Sequence, residues 1–205
     1  MAHLADFMPY ILPLVPGCPA PLAEMTLRGV AIDFCTYAPV AQQVLDPVDV
    51  YAGQAQYDID VPYGANVTLI LEAYYDGQRM QVIRQDDDVR EGGTAPFALR
   101  QAADNTFTLY PTPTVDQDGV IVLRVATRPT MLAATLDDVL LADYAYEIGS
   151  GAVARLMLMP NQLFSNPQLA PTYQTIYVVG RTNARIRAEA GFGMSGNRVR
   201  PRSFM

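Results

Sequence analysis

The sequence predicts an α+β chain with helices at both ends, a β-rich middle and an extended C-terminal segment. Three observations carry this. Apolar residues recur at helical spacing near both ends; β-branched and aromatic residues cluster between turn signals in the middle; glycines followed by arginines close the chain. The boundaries fall at 1–46 for the N-terminal helices, 47–128 for the β-rich part, 129–190 for the C-terminal helices and 191–205 for an extended, Arg-rich docking segment.

Leu4 to Leu14 has helical character, but Pro9 and Pro13 limit it to one short helix or two turns, and Pro16-Gly17-Cys18-Pro19 breaks it. A better helix begins at Pro21, where Leu22, Met25, Val30, Phe34 and Tyr37 approximate one face and Glu24, Arg28 and Asp33 lie elsewhere; Pro39 marks its kink or end. Strands are expected at Val48 to Tyr51, Tyr57 to Val61 and Asn66 to Tyr75, the last turning through Asp76-Gly77 into Arg79 to Ile83. Asp86-Asp87-Asp88 and the glycines after it read as a polar loop. Phe97 to Arg100, Thr106 to Tyr110 and Val120 to Thr127 complete six or seven strands, suited to a small antiparallel sheet or sandwich. The period changes again at Arg128-Pro129. Leu136 to Met159 is helical through Leu140, Tyr144, Ile148, Ala152 and Leu156, with Gly149-Ser150-Gly151 read as a close-packing site. A last helix runs from about Leu169 to Ala190, and Gly191, Gly193 and Gly196 end it.

Composition bounds the function. Half of the 205 residues are hydrophobic and 17% are charged, a globular profile with enough chain for a sizeable core. The apolar runs are far too short to cross a bilayer, so no membrane role is expected. No secretory signal is expected either, because His3 and Asp6 stand where Lys or Arg would be needed. Cys18 and Cys35 are too few for a disulfide framework or a metal site and read as reduced, packed thiols, as in the cytoplasm during synthesis. All 14 basic residues are arginine, which a GC-rich coding genome produces without physical selection. Their distribution says more. Residues 1–180 hold 8 Arg and 20 acids, a net of −12, and residues 181–205 hold 6 Arg and Glu189, a net of +5, together the −7 of the chain. An acidic body thus ends in a basic segment, and the two suit different surfaces.

Catalytic and cofactor motifs are hard to find. His3 is the sole histidine, which leaves no interior base for a serine triad. Gly191 to Gly196 has dinucleotide-like glycine offsets, but no strand precedes it. The three adjacent aspartates lack the alternate spacing of a calcium loop. We therefore expect neither an enzyme nor a bound cofactor or metal. The alternation of Phe192, Met194, Val199 and Phe204 with Arg198, Arg200 and Arg202 fits a segment that orders when it docks, helped by Arg181, Arg185 and Arg187. A solvated segment and a phosphate contact with nucleic acid remain the other readings of these arginines.

Several motifs carry a resemblance. They are Leu12-Pro13, Val15-Pro16-Gly17-Cys18-Pro19 and Ala31-Ile32-Asp33-Phe34-Cys35 within residues 4–40, then Leu45 to Pro62, Thr108-Leu109-Tyr110-Pro111 and the closing Arg198-Val199-Arg200-Pro201-Arg202-Ser203-Phe204. In these the chain resembles the head-to-tail adaptors of tailed bacteriophages, also called connector or tail tubular proteins. It departs at Thr36 to Ala41, where the family carries a more basic and aromatic run. The resemblance implies a helical bundle with an inserted antiparallel β region. It also implies a structural virion protein that assembles into a twelve-fold ring beneath the portal and receives the tail at its other end, with DNA passing through the lumen on ejection. The implied partners are the portal ring, tail tube or nozzle proteins and further copies of the chain, and the implied location is the head–tail junction of the virion. By the same resemblance, Arg181, Arg185, Arg187, Phe192, Arg198, Arg200, Arg202 and Phe204 are the expected portal-docking residues.

Rival readings are a tail-completion, baseplate or fibre-attachment protein, and a β-sandwich carbohydrate-binding module presenting Tyr74, Tyr75 and Tyr110. A hydrolase is the third.

Overall fold

A computed structural model describes residues 1–83 and 96–190. In chain order the elements are β1 (Ala2–His3), two 3-10 turns (Leu4–Tyr10 and Leu12–Leu14), α1 (Ala20–Tyr37), β2 (Gln42–Val44), β3 (Val48–Val50), β4 (Gln56–Asp58) and β5 (Ala65–Tyr75). They continue with β6 (Gln78–Arg79), β7 (Gln81–Ile83), β8 (Ala98–Ala103), β9 (Thr106–Tyr110), β10 (Gln117–Pro129), β11 (Thr135–Leu136), α2 (Asp138–Met157) and α3 (Ala170–Ala190).

The helices follow from local chemistry. Pro9 and Pro13 hold the first apolar stretch to 3-10 turns that bury Leu4, Phe7 and Met8. Helix α1 has Pro19 as its extended N-cap and Pro21 in its first turn, where the missing N–H costs nothing. It buries Ala23, Leu27, Val30, Ala31, Phe34 and Cys35, one stripe at i, i+4, i+7, i+8, i+11 and i+12, and ends at Ala38 before Pro39. Helix α2 opens on Asp137, whose carboxylate accepts from the Val139 N–H at 3.0 Å, and bends at Tyr144, where φ is −134°. Its glycines allow close approach. A Cβ at Gly151 would meet the Tyr177 ring at 2.7 Å and Val30 at 2.8 Å, and one at Gly149 would meet Tyr10 at 2.9 Å. Tyr144, Ile148 and Leu156 are all buried in the resulting helical core.

The strands form three sheets. The longest pairing is antiparallel, β5 against β10, with Tyr74 opposite Val122 and irregularities after Arg124 and Ala126. β2 and β3 share the other side of β10, and β6 returns on β5 through Asp76-Gly77, both at positive φ. The second sheet runs β4-β9-β8-β7 and includes one parallel pair, β7 with β8. β1 and β11 make a two-stranded sheet that ties the N-terminus to the approach to α2. The two larger sheets share a core of their own, with Val50, Val67, Ile70, Ile121, Leu123 and Val125 from one and Tyr57, Leu99, Phe107 and Leu109 from the other.

This overturns the expected helical bundle with an inserted antiparallel β region. The chain is mostly β in architecture, its three sheets including a curled half-barrel. Strand pairing begins at Ala2, before any helix, and one pair is parallel. The physical reason lies in β10. Its 13 residues bury one face toward the second sheet and still pack against α1, so the strands build a core of their own beside the helical one and are not a small insertion into a bundle.

Candidate docking surface on the last helix

Helix α3 leans chiefly on α2 and only lightly on α1. Gly180 lies against Glu147 of α2, so a side chain there would collide with it. From Ala170 to Gly180 the helix has no charged residue; from Arg181 to Ala190 it carries three arginines and Glu189. Placing cations in the last turns complements the helix dipole.

Tyr177, Arg181 and Arg185 stand four residues apart and therefore share a face. That face meets α1. The Tyr177 hydroxyl donates to Asp33 Oδ2 at 2.6 Å, Arg181 Nη1 donates to the same oxygen at 2.9 Å, and Arg155 Nη2 of α2 reaches it at 3.3 Å. The Arg181 guanidinium lies 4.3 Å from the Tyr37 ring centroid and 5.3 Å from that of Tyr177, and Arg185 approaches Tyr37 at 5.2 Å. Burial pushes the Tyr177 phenol well above its usual range; its bond to Asp33 and the charge there add to this, while Arg181 and Arg155 oppose it. Tyr177 thus stays protonated as the donor that Asp33 requires. One carboxylate joins all three helices.

The structure thereby separates the expected docking residues. Arg181 is engaged inside the subunit, with its side chain 20% exposed. Arg185 stays on the surface, bonded to Glu189 at 2.7 Å, and that bond, more than any other influence, holds its guanidinium more firmly protonated. Arg187 points away from both, toward Asp143 of α2 at 3.7 Å, where it lines a groove of about 290 Å³ with Val40, Gln42, Arg124 and Tyr144. Burial raises the Tyr144 phenol there, against the pull of Arg187. Phe192, Arg198, Arg200, Arg202 and Phe204 lie outside the described residues, as do the three aspartates at 86–88.

Sequence reasoning missed Asp33, Tyr37 and Arg155. The signal available was spacing alone: Asp33 and Tyr37 are four apart on α1, as Tyr177, Arg181 and Arg185 are on α3.

Other chemistry is sparse. No group of three metal-ligating side chains occurs among the described residues, and no described helix is long and apolar enough to cross a membrane. Tyr74 and Tyr75 are neighbours on β5 and so face opposite sides of the sheet. The Tyr75 hydroxyl is bonded to Gln117, and Tyr110 is covered by Arg100 at 5.4 Å. Tyr74 and Tyr75 therefore do not share one stacking face.

No protein-family model matches the chain, and no curated protein matches it significantly.

Proposed function

We propose that this chain is a structural adaptor of a tailed-bacteriophage virion, a subunit of the ring that joins the portal to the tail. The observation that carries the reading is the division of charge along the last helix. An acidic body leads through the fixed, internally paired Arg181 to the surface-exposed Arg185 and Arg187, and then into a segment with three further arginines. The motif resemblance at residues 4–40, 45–62, 108–111 and 198–204 supports the same reading. In a ring, an acidic lumen repels DNA and keeps it from sticking in transit. Contacts that are modest in one subunit also become strong when repeated around an axis.

Electron microscopy of the protein mixed with its portal ring, with and without residues 190–205, tests this. A twelve-fold collar that needs the C-terminal segment is the expected result. A three- or six-fold assembly with tail proteins instead would assign the chain to tail completion, baseplate or fibre attachment. Failure of both forms to bind the portal would sink the adaptor reading.

A further inference from the structure

A second surface of the molecule combines an apolar groove with acidic side chains. Between the β2–β3 segment and the chain leaving β4 lies a groove of about 560 Å³. Its walls are mainly apolar, from Val44, Leu45, Pro47, Val48, Val61 and Pro62, and Val44 is 66% exposed. Three carboxylates, Asp46, Asp58 and Asp60, complete it. Among the described residues none of the three makes an ion pair or a side-chain hydrogen bond, unlike Asp49 close by, which accepts from the Gly119 N–H at 2.7 Å. β2 and β4 are also edge strands of their sheets. Such a surface suits an extended peptide that alternates cations with apolar residues.

We propose that in the free subunit the C-terminal segment of the same chain, centred on Arg198 to Phe204, docks in this groove. The chain ends with such a peptide, Arg198-Val199-Arg200-Pro201-Arg202-Ser203-Phe204. In an extended chain its three arginines fall on one side at every second residue, the spacing that separates Asp58 from Asp60. The starting point is also suitable. Ala188, near the end of α3, lines the smaller groove together with Val40 and Gln42, and Gln43 and Val44 begin the acidic one. Residues 191–197 reach up to ~23 Å when extended, whereas Gln42 to Asp46 spans at most ~14 Å. Docking within one chain therefore needs no second copy. It withholds the segment from other acidic surfaces until one of them competes, so a free subunit does not bind partners at random. The docking itself does not rest on the adaptor reading, and its test uses the isolated chain.

The chain has no tryptophan, so Phe204→Trp provides a unique reporter. We expect its emission to be shifted to shorter wavelength and protected from acrylamide at every protein concentration. Both effects disappear in 1 M salt and in a variant with Asp46→Asn, Asp58→Asn and Asp60→Asn. The variant with Arg198→Ala, Arg200→Ala and Arg202→Ala leaves the folded body untouched and gives the same loss; far-UV circular dichroism checks that both retain the fold. A solvent-like emission in the parent, or one that neither triple variant changes, overturns the proposal. A shift that grows with protein concentration overturns it in favour of docking on a second copy.

Discussion

The hydroxyl of Tyr177 on α3 donates to the carboxylate of Asp33 on α1 across 2.6 Å, linking residues 144 positions apart. Arg181 and Arg155 converge on the same oxygen, so Asp33 pins α3 to α1 and α2. Asp33→Ala should lower unfolding free energy by about 2 kcal/mol, at the low end for charged hydrogen bonds because the carboxylate is 41% exposed and partly screened. Tyr177→Phe, which keeps the ring beside Phe34, should cost about 1 kcal/mol. Urea denaturation gives both values, and an Asp33→Ala chain as stable as the parent would show that solvent already screens the hub.

Two helical glycines should respond to alanine with opposite signs. At Gly29 a Cβ meets only the tip of Arg155, at 3.6 Å, so Gly29→Ala should stabilise by about 0.5–1 kcal/mol through helix propensity. At Gly151 the same atom meets the buried Tyr177 ring and the branched Val30 below 3 Å. Gly151→Ala should destabilise by about 1–3 kcal/mol, because overpacking outweighs propensity. Thermal melts of the two variants decide it, and equal shifts in one direction would contradict the packing at α1, α2 and α3.

The hairpin at Asp76-Gly77 is the third case. Both residues have positive φ, 46° and 73°, and a Cβ at Gly77 has nothing within 4 Å. The penalty for Gly77→Ala is therefore one of backbone conformation alone, about 1 kcal/mol, and Asp76→Asn should be nearly neutral because asparagine tolerates the left-handed region. Urea midpoints measure both; a neutral Gly77→Ala would mean that the turn relaxes to another type.

Elements with a strong local period were legible in the sequence. The reading of Thr106 to Tyr110 as a strand coincides with β9, and Asn66 to Tyr75 differs from β5 by one residue. Pairings that depend on distant partners were not. Arg79 to Ile83 reads as a single returning strand, yet at Met80 the chain passes from one sheet to the other: Met80 N–H bonds back to Ala73, and Gln81 N–H bonds to Phe97. β1, β2 and β11 are two or three residues long, too short for any periodicity to show. The helical bundle failed for a related reason. Amphipathic spacing says that a face is buried but not whether a helix or a sheet covers it, and β10 covers part of α1. In the docking surface, the i, i+4 pair Arg181 and Arg185 was visible, but not the Asp33 carboxylate on α1 that Arg181 shares with Arg155.

The buried thiol of Cys35 makes stability depend on alkaline pH. Burial, with a smaller contribution from Asp137, pushes its pKa from 9.0 up to about 12, and the Tyr177 phenol is raised as well. Both groups are neutral when protonated, and folding favours that form. Their contribution is therefore complete below the unfolded pKa values and is lost as pH rises, because the unfolded chain ionises first. For Cys35 the loss begins near pH 9 and continues to about pH 12, at about 1.4 kcal/mol per pH unit for one proton. Urea unfolding between pH 8 and 11 should show that decline. Cys35→Ala should start from lower stability because it leaves a small cavity, yet fall less steeply above pH 9. Parallel pH profiles for the parent and Cys35→Ala would show that the thiol ionises in the folded chain as readily as in the unfolded one.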